Sequence, residues 1–102
     1  MRPIGSEFKL RVHVEPIDGL YMDDYDFECE LYTNLNKKIK ILKNDTKRED
    51  HNNYIVIVTS DISKQLGKGF LKMRFTAHVP DTDFTDGIRT EIVELCTNIT
   101  IV

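Results

Sequence analysis

Acidic side chains ahead of a glycine are the residues of this chain best suited to chemistry. Asp81, Asp83 and Asp86 precede Gly87, and closely spaced carboxylates of this kind can bind a hard cation such as calcium. The spacing departs by one residue from the calcium-loop pattern D-x-D-x-D-G, and Ile92 stands where that loop has its bidentate glutamate. These three aspartates are therefore weak candidates for a metal site.

The alternative to a calcium site is an ordinary acidic turn. Aspartate side chains accept hydrogen bonds from nearby backbone N–H groups. This interpretation places Phe84 in the core and Arg89 against a neighbouring carboxylate. The departures from the calcium loop favour the turn, so the sequence predicts no metal and no cofactor.

No catalytic set is readable elsewhere in the chain. A second acidic group, in and just after the first long loop, has the residue type that glycosidases use, but the chain has no tryptophan to form a sugar platform, which favours a solvated face. The histidines stand alone, without the spacing of metal ligands. The acidic group consists of Asp18, Asp23, Asp24 and Asp26, and the histidines are His13, His51 and His78. We therefore expect that the protein is not an enzyme.

Composition limits the class of partner. The chain has 102 residues, a formal net charge of −3, 40% hydrophobic residues and 30% charged residues, which is typical of one globular domain. Nucleic acid is not expected as a partner, because phosphate contacts need a basic surface. No apolar run approaches the roughly 18 residues of a membrane span, so no membrane contact is expected.

Period-two hydrophobicity predicts strands throughout. From Leu71 to Val79 apolar residues fall on odd positions and polar ones on even positions through His78, which gives a strand one face in the core. Further strands are predicted at 8–14, 25–31, 37–43, 54–59 and 89–102. The lysine-rich segment 37–43 suits a sheet edge, and the β-branched segment 54–59 suits a strand covered on both faces. In 89–102 the alternation breaks, so either a bulge is present or both faces are covered.

The connecting segments predict little regular structure. Residues 61–67 look like one helical turn, which Ser60 or Asp61 can cap and Gly67 can close. The polar run 44–53 is predicted to be a mobile loop. Because no helix is long enough for a parallel crossover, the predicted fold is all-β, an immunoglobulin-like antiparallel β-sandwich of about six to seven strands. A small barrel is the alternative.

We divide the chain into an N-terminal arm, residues 1–7, and one β-sandwich domain, residues 8–102. Gly5-Ser6-Glu7-Phe8 is the peptide that two adjacent cloning sites would encode, so the arm is either of cloning origin or native. Cys29 and Cys96 can form an inter-sheet disulfide. Without a partner tryptophan or an export signal, two buried free thiols are favoured.

Several stretches together resemble small virion proteins of phages and prophages of Bacteroides-type bacteria, including the crAss-like phages. They are Glu15-Pro16-Ile17-Asp18-Gly19, Tyr25-Asp26-Phe27-Glu28-Cys29, Leu66-Gly67-Lys68-Gly69, and Val79 to Phe84 with Asp86 to Glu91. The order strand, Leu-Gly-x-Gly, strand also resembles the N-terminal β-sandwich of phage baseplate upper proteins. The first resemblance spans nearly the whole chain and the second only its middle.

The resemblance implies a structural role in the virion, as an auxiliary or decorating capsid protein or as a domain that anchors a head or tail fibre. Its partners would be the major capsid protein or a fibre protein, and a homo-oligomer is possible. We expect the contacts at the arm first and at two loops next, with Arg2, Pro3, Ile4, Asp23, Asp24, Lys47 and Arg48 as the contact residues.

The alternative function is a surface-adhesion or carbohydrate-binding module excised from a larger protein. Sugar binding usually needs exposed aromatic side chains, and most aromatic residues here fall at inward positions. Tyr21 and Tyr32 are the expected exceptions. An enzyme is the third and least favoured class.

Overall fold

A computed structural model describes residues 2–34 and 37–102. Seven strands, one short helix and two 3-10 turns account for most of these residues. The strands are β1 (Phe8–His13), β2 (Asp26–Asn34), β3 (Lys37–Leu42), β4 (Lys47–Asp50), β5 (Asn53–Val58), β6 (Gly69–Pro80) and β7 (Ile88–Ile101). The helix α1 is Ser60–Leu66, and the 3-10 turns are Met22–Asp24 and Lys43–Asp45.

The strands form two antiparallel sheets, in the orders β1-β5-β4 and β3-β2-β6-β7. An immunoglobulin-like sandwich has the same arrangement in its B-E-D and C′-C-F-G strands. The predicted all-β antiparallel sandwich is confirmed. The barrel alternative fails, because the described strands form two separate sheets.

The core follows from the alternation in β6. Leu71, Met73, Phe75, Ala77 and Val79 are all at most 2% exposed. The register sets the odd residues of β6 opposite those of β2, for example Phe75 opposite Cys29. The second sheet contributes buried side chains from β1 and β5, and each large apolar side chain buried in this way contributes about 1.5–3 kcal/mol.

Aromatic contacts join the two sheets. Phe27 of β2 lies 5.0 Å from Phe75 and 5.1 Å from Tyr54 of β5, between ring centroids. The Phe27–Tyr54 pair has the edge-to-face geometry that the ring quadrupoles favour. Phe27 is therefore a central contact between the layers.

Two features of the predicted elements are wrong. Segment 54–59 forms a central strand as predicted, but it is not covered on both faces: Tyr54, Val56 and Val58 are buried, while Ile57 is 44% exposed. Segment 44–53 is not a loop but contains most of the second 3-10 turn and all of β4. Two of its charged side chains form ion pairs, Glu49 with Arg11 and Arg48 with Asp23, each at 2.8 Å. The polarity of this segment therefore reflects an edge strand.

The short helix begins one residue earlier than predicted. Thr59 is its N-cap, and its hydroxyl accepts a hydrogen bond from the Ile62 N–H at 3.4 Å. Ser60, proposed as a cap, is instead the first helical residue, and Asp61 lies in the first turn. Gly67 closes the helix as predicted, donating its N–H to the Ser63 carbonyl at 3.3 Å.

The predicted bulge is present in β7, but Ile92 breaks the alternation for another reason, since it is an apolar side chain exposed on the outer face. Phe70 pairs with Thr100 and Lys72 with Cys96, so three residues of β7, 97–99, lie opposite Leu71 alone. Asn98 carries the bend with a φ of 60°, a conformation that asparagine tolerates. Because the bulge adds two residues, the alternation is preserved and Ile101 returns to the core at 1% exposure.

Candidate functional site

Two of the three aspartates of the weak metal candidate, Asp81 and Asp86, stabilise a turn through their carboxylates. Asp81 and Gly87 close the β6–β7 hairpin, the Asp81 N–H donating to the Gly87 carbonyl at 2.8 Å. The Asp81 carboxylate accepts the Asp83 N–H, and the Asp86 carboxylate accepts the Ile88 N–H, each at 3.0 Å. The predicted acidic turn is confirmed.

Arg89 binds this turn to the loop between β1 and β2. Its guanidinium donates to Asp81 at 2.8 Å and to Asp18, and its Nε lies 3.0 Å from a Glu91 oxygen. Asp18 is the main cause of a raised pKa for Arg89. The Asp81 carboxylate is thus paired with a cation of the protein. Among the described residues, no group of three or more His, Cys, Asp or Glu side chains is placed to hold a metal ion.

Phe84 does not pack into the core as predicted. The ring is 47% exposed. Backbone hydrogen bonds from the Phe84 N–H to the Asp81 carbonyl and from the Gly87 N–H to the Phe84 carbonyl, 3.3 and 2.8 Å, hold the residue at the hairpin tip. This tip lies beyond the last residue pair of β6 and β7, so the ring meets solvent.

Asp23 and Arg48, both predicted to contact a partner, bind each other. Arg48 forms a two-point ion pair with the Asp23 carboxylate, at 2.8 and 3.0 Å. The Tyr54 hydroxyl donates to the same carboxylate. Arg48 first, and Tyr54 second, lower the pKa of Asp23 to about 2. These two charges therefore join the loop before β2 to β4 and β5.

Lys43 binds the same loop from the other side. Its ammonium donates to the carbonyls of Met22, Asp23 and Tyr25, at 3.0, 3.3 and 2.7 Å. It also lies 5.5 Å from the centroid of the Phe27 ring, a cation–π distance. This role of Lys43 is not predictable from the sequence, because nothing in the local pattern distinguishes Lys43 from the outward lysines of β3.

The remaining predicted contact residues lie at three places. Asp24 accepts the Tyr21 N–H at 2.9 Å and so caps the first 3-10 turn. Lys47 is exposed on β4, opposite Ile55. Arg2, Pro3 and Ile4 are exposed in the arm. The structure therefore places these seven residues at separate positions and brings together only Asp23 and Arg48 through a direct contact.

The arm extends the four-stranded sheet. Arg2 pairs in parallel with Ile101, and its N–H donates to the Thr100 carbonyl at 2.8 Å. The Ile4 N–H donates to the Val102 carbonyl at 2.7 Å. The Gly5 N–H donates to the hydroxyl of the buried Ser63 at 3.0 Å. The arm thus occupies only the last residues of the β7 edge.

One side of the sandwich is open. Among the described strands, β1 pairs only with β5 and β7 only with β6, and a cleft of about 460 Å³ runs between the two edges. Its apolar lining consists of Leu10, Val12, Met73, Leu95 and Ile99. A constant-type immunoglobulin domain has its A strand beside B, the position of the open β1 edge here.

The exposed apolar side chains of β7 are the other conspicuous surface feature. Ile88 is 42%, Ile92 60% and Val93 38% exposed. They lie along a sheet edge that carries the arm only at its far end. Large apolar side chains on an unpaired edge are unusual for a strand that remains in water. The edges of β1 and β7 are therefore the candidate functional site.

Cys29 is a free, fully buried thiol, and burial raises its pKa to about 12. It lies on β2, and Cys96 lies on β7 with β6 between them. Strands two places apart are separated by about 9.6 Å, too far for a disulfide. The predicted free thiol is confirmed for Cys29, while the side chain of Cys96 lies outside the described part of the chain.

The exposure of two tyrosines is relevant to the alternative function, a surface-adhesion or carbohydrate-binding module. Tyr21 is 41% exposed, and its ring meets His51 edge-on at 4.4 Å between centroids. Tyr32, also expected to be exposed, is only 4% exposed. Its place on the outer face of β2 is covered by neighbouring side chains, including Lys38, whose ammonium is 5.9 Å from the ring centroid.

Within the residues that the structure describes, no helix is long and apolar enough to cross a membrane. The chain matches no family model, no curated protein and no solved structure.

Proposed function

We propose that the protein is a non-enzymatic structural component of a phage virion, an auxiliary or decorating capsid protein or a fibre-anchoring domain. It acts through protein–protein contacts. The observation that carries this proposal is the open side of the sandwich, where an apolar cleft lies between two strand edges. Strand edges of this kind can add a segment of another chain to their sheet.

The internal use of the acidic residues supports a non-enzymatic role. Asp23 is paired with Arg48, Asp81 with Arg89, and Asp24 caps a turn. These partners use the carboxylates to stabilise loops, and Arg48 lowers the pKa of Asp23 to about 2. A general acid at neutral pH requires the opposite shift.

The resemblance of the sequence motifs to small virion proteins of phages supports the particle as the location. A rigid sandwich with accessible edges suits an accessory subunit, because particle symmetry repeats one contact many times. The partners would be the major capsid protein or a fibre protein.

The test is the composition of purified particles. We expect this chain to remain with gradient-purified virions after a high-salt wash, at a constant ratio to the major capsid protein, and its sandwich to appear as density in a particle reconstruction. A host protein of similar size is the control for trapping. Loss of the chain on washing, with no density for it, would refute the proposal.

A carbohydrate-binding module is the second candidate, and the exposed Tyr21 beside His51 favours it. Exposed aromatic rings are the usual platform for a sugar face. On a glycan array this candidate predicts binding that Tyr21→Ala removes. Phe70→Ala, which truncates another exposed aromatic residue, is the control and should leave that binding intact.

A further inference from the structure

The hydrogen-bonding direction of β7 can be read from the ends of the strand. Asp81 and Gly87 are joined by a backbone hydrogen bond across the hairpin. Bonded and non-bonded pairs alternate along an antiparallel ladder, so the odd residues of β7 bond to β6. The even residues direct N–H and C=O away from the sheet. The arm uses these groups, since Arg2 bonds to Thr100 and Val102.

The part of the β7 edge ahead of the arm and the bulge is less protected against pairing than the edges of β3 and β4. Segment 88–96 contains no lysine and no proline, which are the residues that most often block a sheet edge, and its charged residues Arg89 and Glu94 already form ion pairs within the chain. By contrast, β3 has three lysines and β4 consists wholly of charged residues. Ile88 and Ile92 are instead exposed on the outer face of β7, on either side of Thr90.

This edge is complementary to itself. A two-fold axis through Thr90 sets Ile88 opposite Ile92 of a second copy, and Arg89 opposite Glu91 of that copy. Antiparallel partners that lie directly opposite share a face, so the isoleucines meet on the outer face and the charges on the inner face. The outward N–H and C=O groups of the even residues then face each other.

We propose that β7 pairs with β7 of a second copy of this chain, antiparallel and centred on Thr90, to form a continuous eight-stranded sheet. This inference rests on the proposed function, for which it supplies one contact between subunits. Thr90 supplies both its N–H and its carbonyl, and Ile92 supplies its N–H to the carbonyl of Ile88 in the second copy. Ile88 supplies its carbonyl, because its N–H already donates to Asp86.

The chemistry of the edge selects this register over its neighbour. An axis through Ile92 also places even residues opposite each other, but it sets Thr90 opposite Glu94 and Arg89 opposite Leu95. That arrangement pairs no opposite charges and sets Ile88 opposite Cys96, a smaller apolar partner than Ile92. An axis through Glu91 places two like charges together, which destabilises a sheet pair.

Cysteine cross-linking tests the register. In a Cys96→Ser background, Thr90→Cys places two thiols on residues whose Cα atoms are about 5.5 Å apart in the dimer, within the range of a disulfide. Ile92→Cys is the matched control, with its two copies about 14 Å apart along the strands. We expect mild oxidation to link Thr90→Cys and to leave Ile92→Cys and the background unlinked. Linking through Ile92→Cys alone would overturn the proposed register.

Sedimentation of the full chain over a wide range of concentration tests the association itself. Ile92→Lys places a charge on the paired edge and should weaken dimerisation at least about tenfold. Ile57→Lys is the matched control, because Ile57 is a similarly exposed isoleucine on the other sheet. It should sediment like the unaltered chain. A monomer at every concentration, or equal effects of the two substitutions, would overturn the inference.

Particle composition separates this inference from the proposed function. A monomeric chain that is still present in washed virions would overturn the β7 pairing and retain the virion role. A dimer with the Thr90 cross-link that is absent from virions would retain the pairing and refute the virion role. If Ile92→Lys displaces a monomeric chain from virions, β7 binds a particle protein in place of a second copy.

Discussion

Several charged side chains in this protein hold a loop against neighbouring strands. Asp23 accepts hydrogen bonds from Arg48 and Tyr54, and Lys43 donates to carbonyls of the same loop. Exposed ion pairs contribute little on their own. A network that joins a loop to two strands can instead fix the geometry of the loop, and this one holds residues 22–25 against β4 and β5.

The low pKa of Asp23 predicts a dependence of stability on pH. Its pKa falls from 3.8 to about 2 on folding, so the ionised form is stabilised in the folded state. This stabilisation is fully present above pH 3.8 and is lost as the pH falls towards about 2. Urea unfolding across this range should show a smaller loss for Asp23→Asn than for the unaltered chain.

Two further variants make this pH experiment specific. Asp26→Asn removes an exposed aspartate outside the network and should leave the pH profile unchanged. Tyr54→Phe removes the hydroxyl donor and should lower the free energy of unfolding by about 1–2 kcal/mol at neutral pH. Identical pH profiles for Asp23→Asn and the unaltered chain would contradict the assignment.

At the level of elements, close packing between strand ends fixes where β6 begins. Gly69 has a φ of 140°, and a Cβ added there would lie 3.1 Å from the Cβ of Thr33 on β2. The Thr33 hydroxyl also donates to the Leu66 carbonyl at the end of α1, at 2.6 Å. Gly69 therefore allows the chain to leave the helix and enter the sheet beside β2.

Gly69→Ala should consequently lower the free energy of unfolding by more than about 1 kcal/mol. Both the backbone conformation and the contact with Thr33 oppose the added methyl group. Gly19→Ala is the matched control, since Gly19 has a φ of 79° with nothing within 4 Å of the added Cβ. Chemical denaturation of both variants should give the larger loss for Gly69→Ala, and an equal loss would argue against the steric contact.

At the level of the whole molecule, the N-terminal arm forms backbone hydrogen bonds with the end of the last strand. Residues 2–4 bond to 100–102, and Arg2 lies 5.5 Å from the centroid of the Phe8 ring. The arm therefore acts as a short additional edge strand that covers one end of β7.

Removal of residues 1–6 should lower the free energy of unfolding by about 1–3 kcal/mol, because three backbone hydrogen bonds to β7 are lost. It should leave the pairing centred on Thr90 unchanged, because the arm covers only residues 100–102, outside the paired segment 88–92. Ile4→Ala keeps the backbone bonds and serves as the control. Denaturation measures the loss of stability and sedimentation the pairing, and an unchanged free energy of unfolding would show that the arm does not stabilise the end of the sheet.

The sequence by itself determined the class of fold and the composition of its main core strand. Period-two hydrophobicity is a local property, and it identified the inward face of β6 without knowledge of its neighbours. The acidic turn at 81–87 was predictable for the same reason, because aspartates there bond to backbone only two residues away.

Only the tertiary structure decided which charges are free and which edges are open. The ion pair of Asp23 with Arg48, the pairing of Arg89 with Asp18 and the three carbonyl bonds of Lys43 all join residues distant in sequence. Strand order likewise made β4 an edge strand and left part of the β7 edge open. These features depend on which segments meet in space, and a one-dimensional pattern of hydrophobicity carries no information about that.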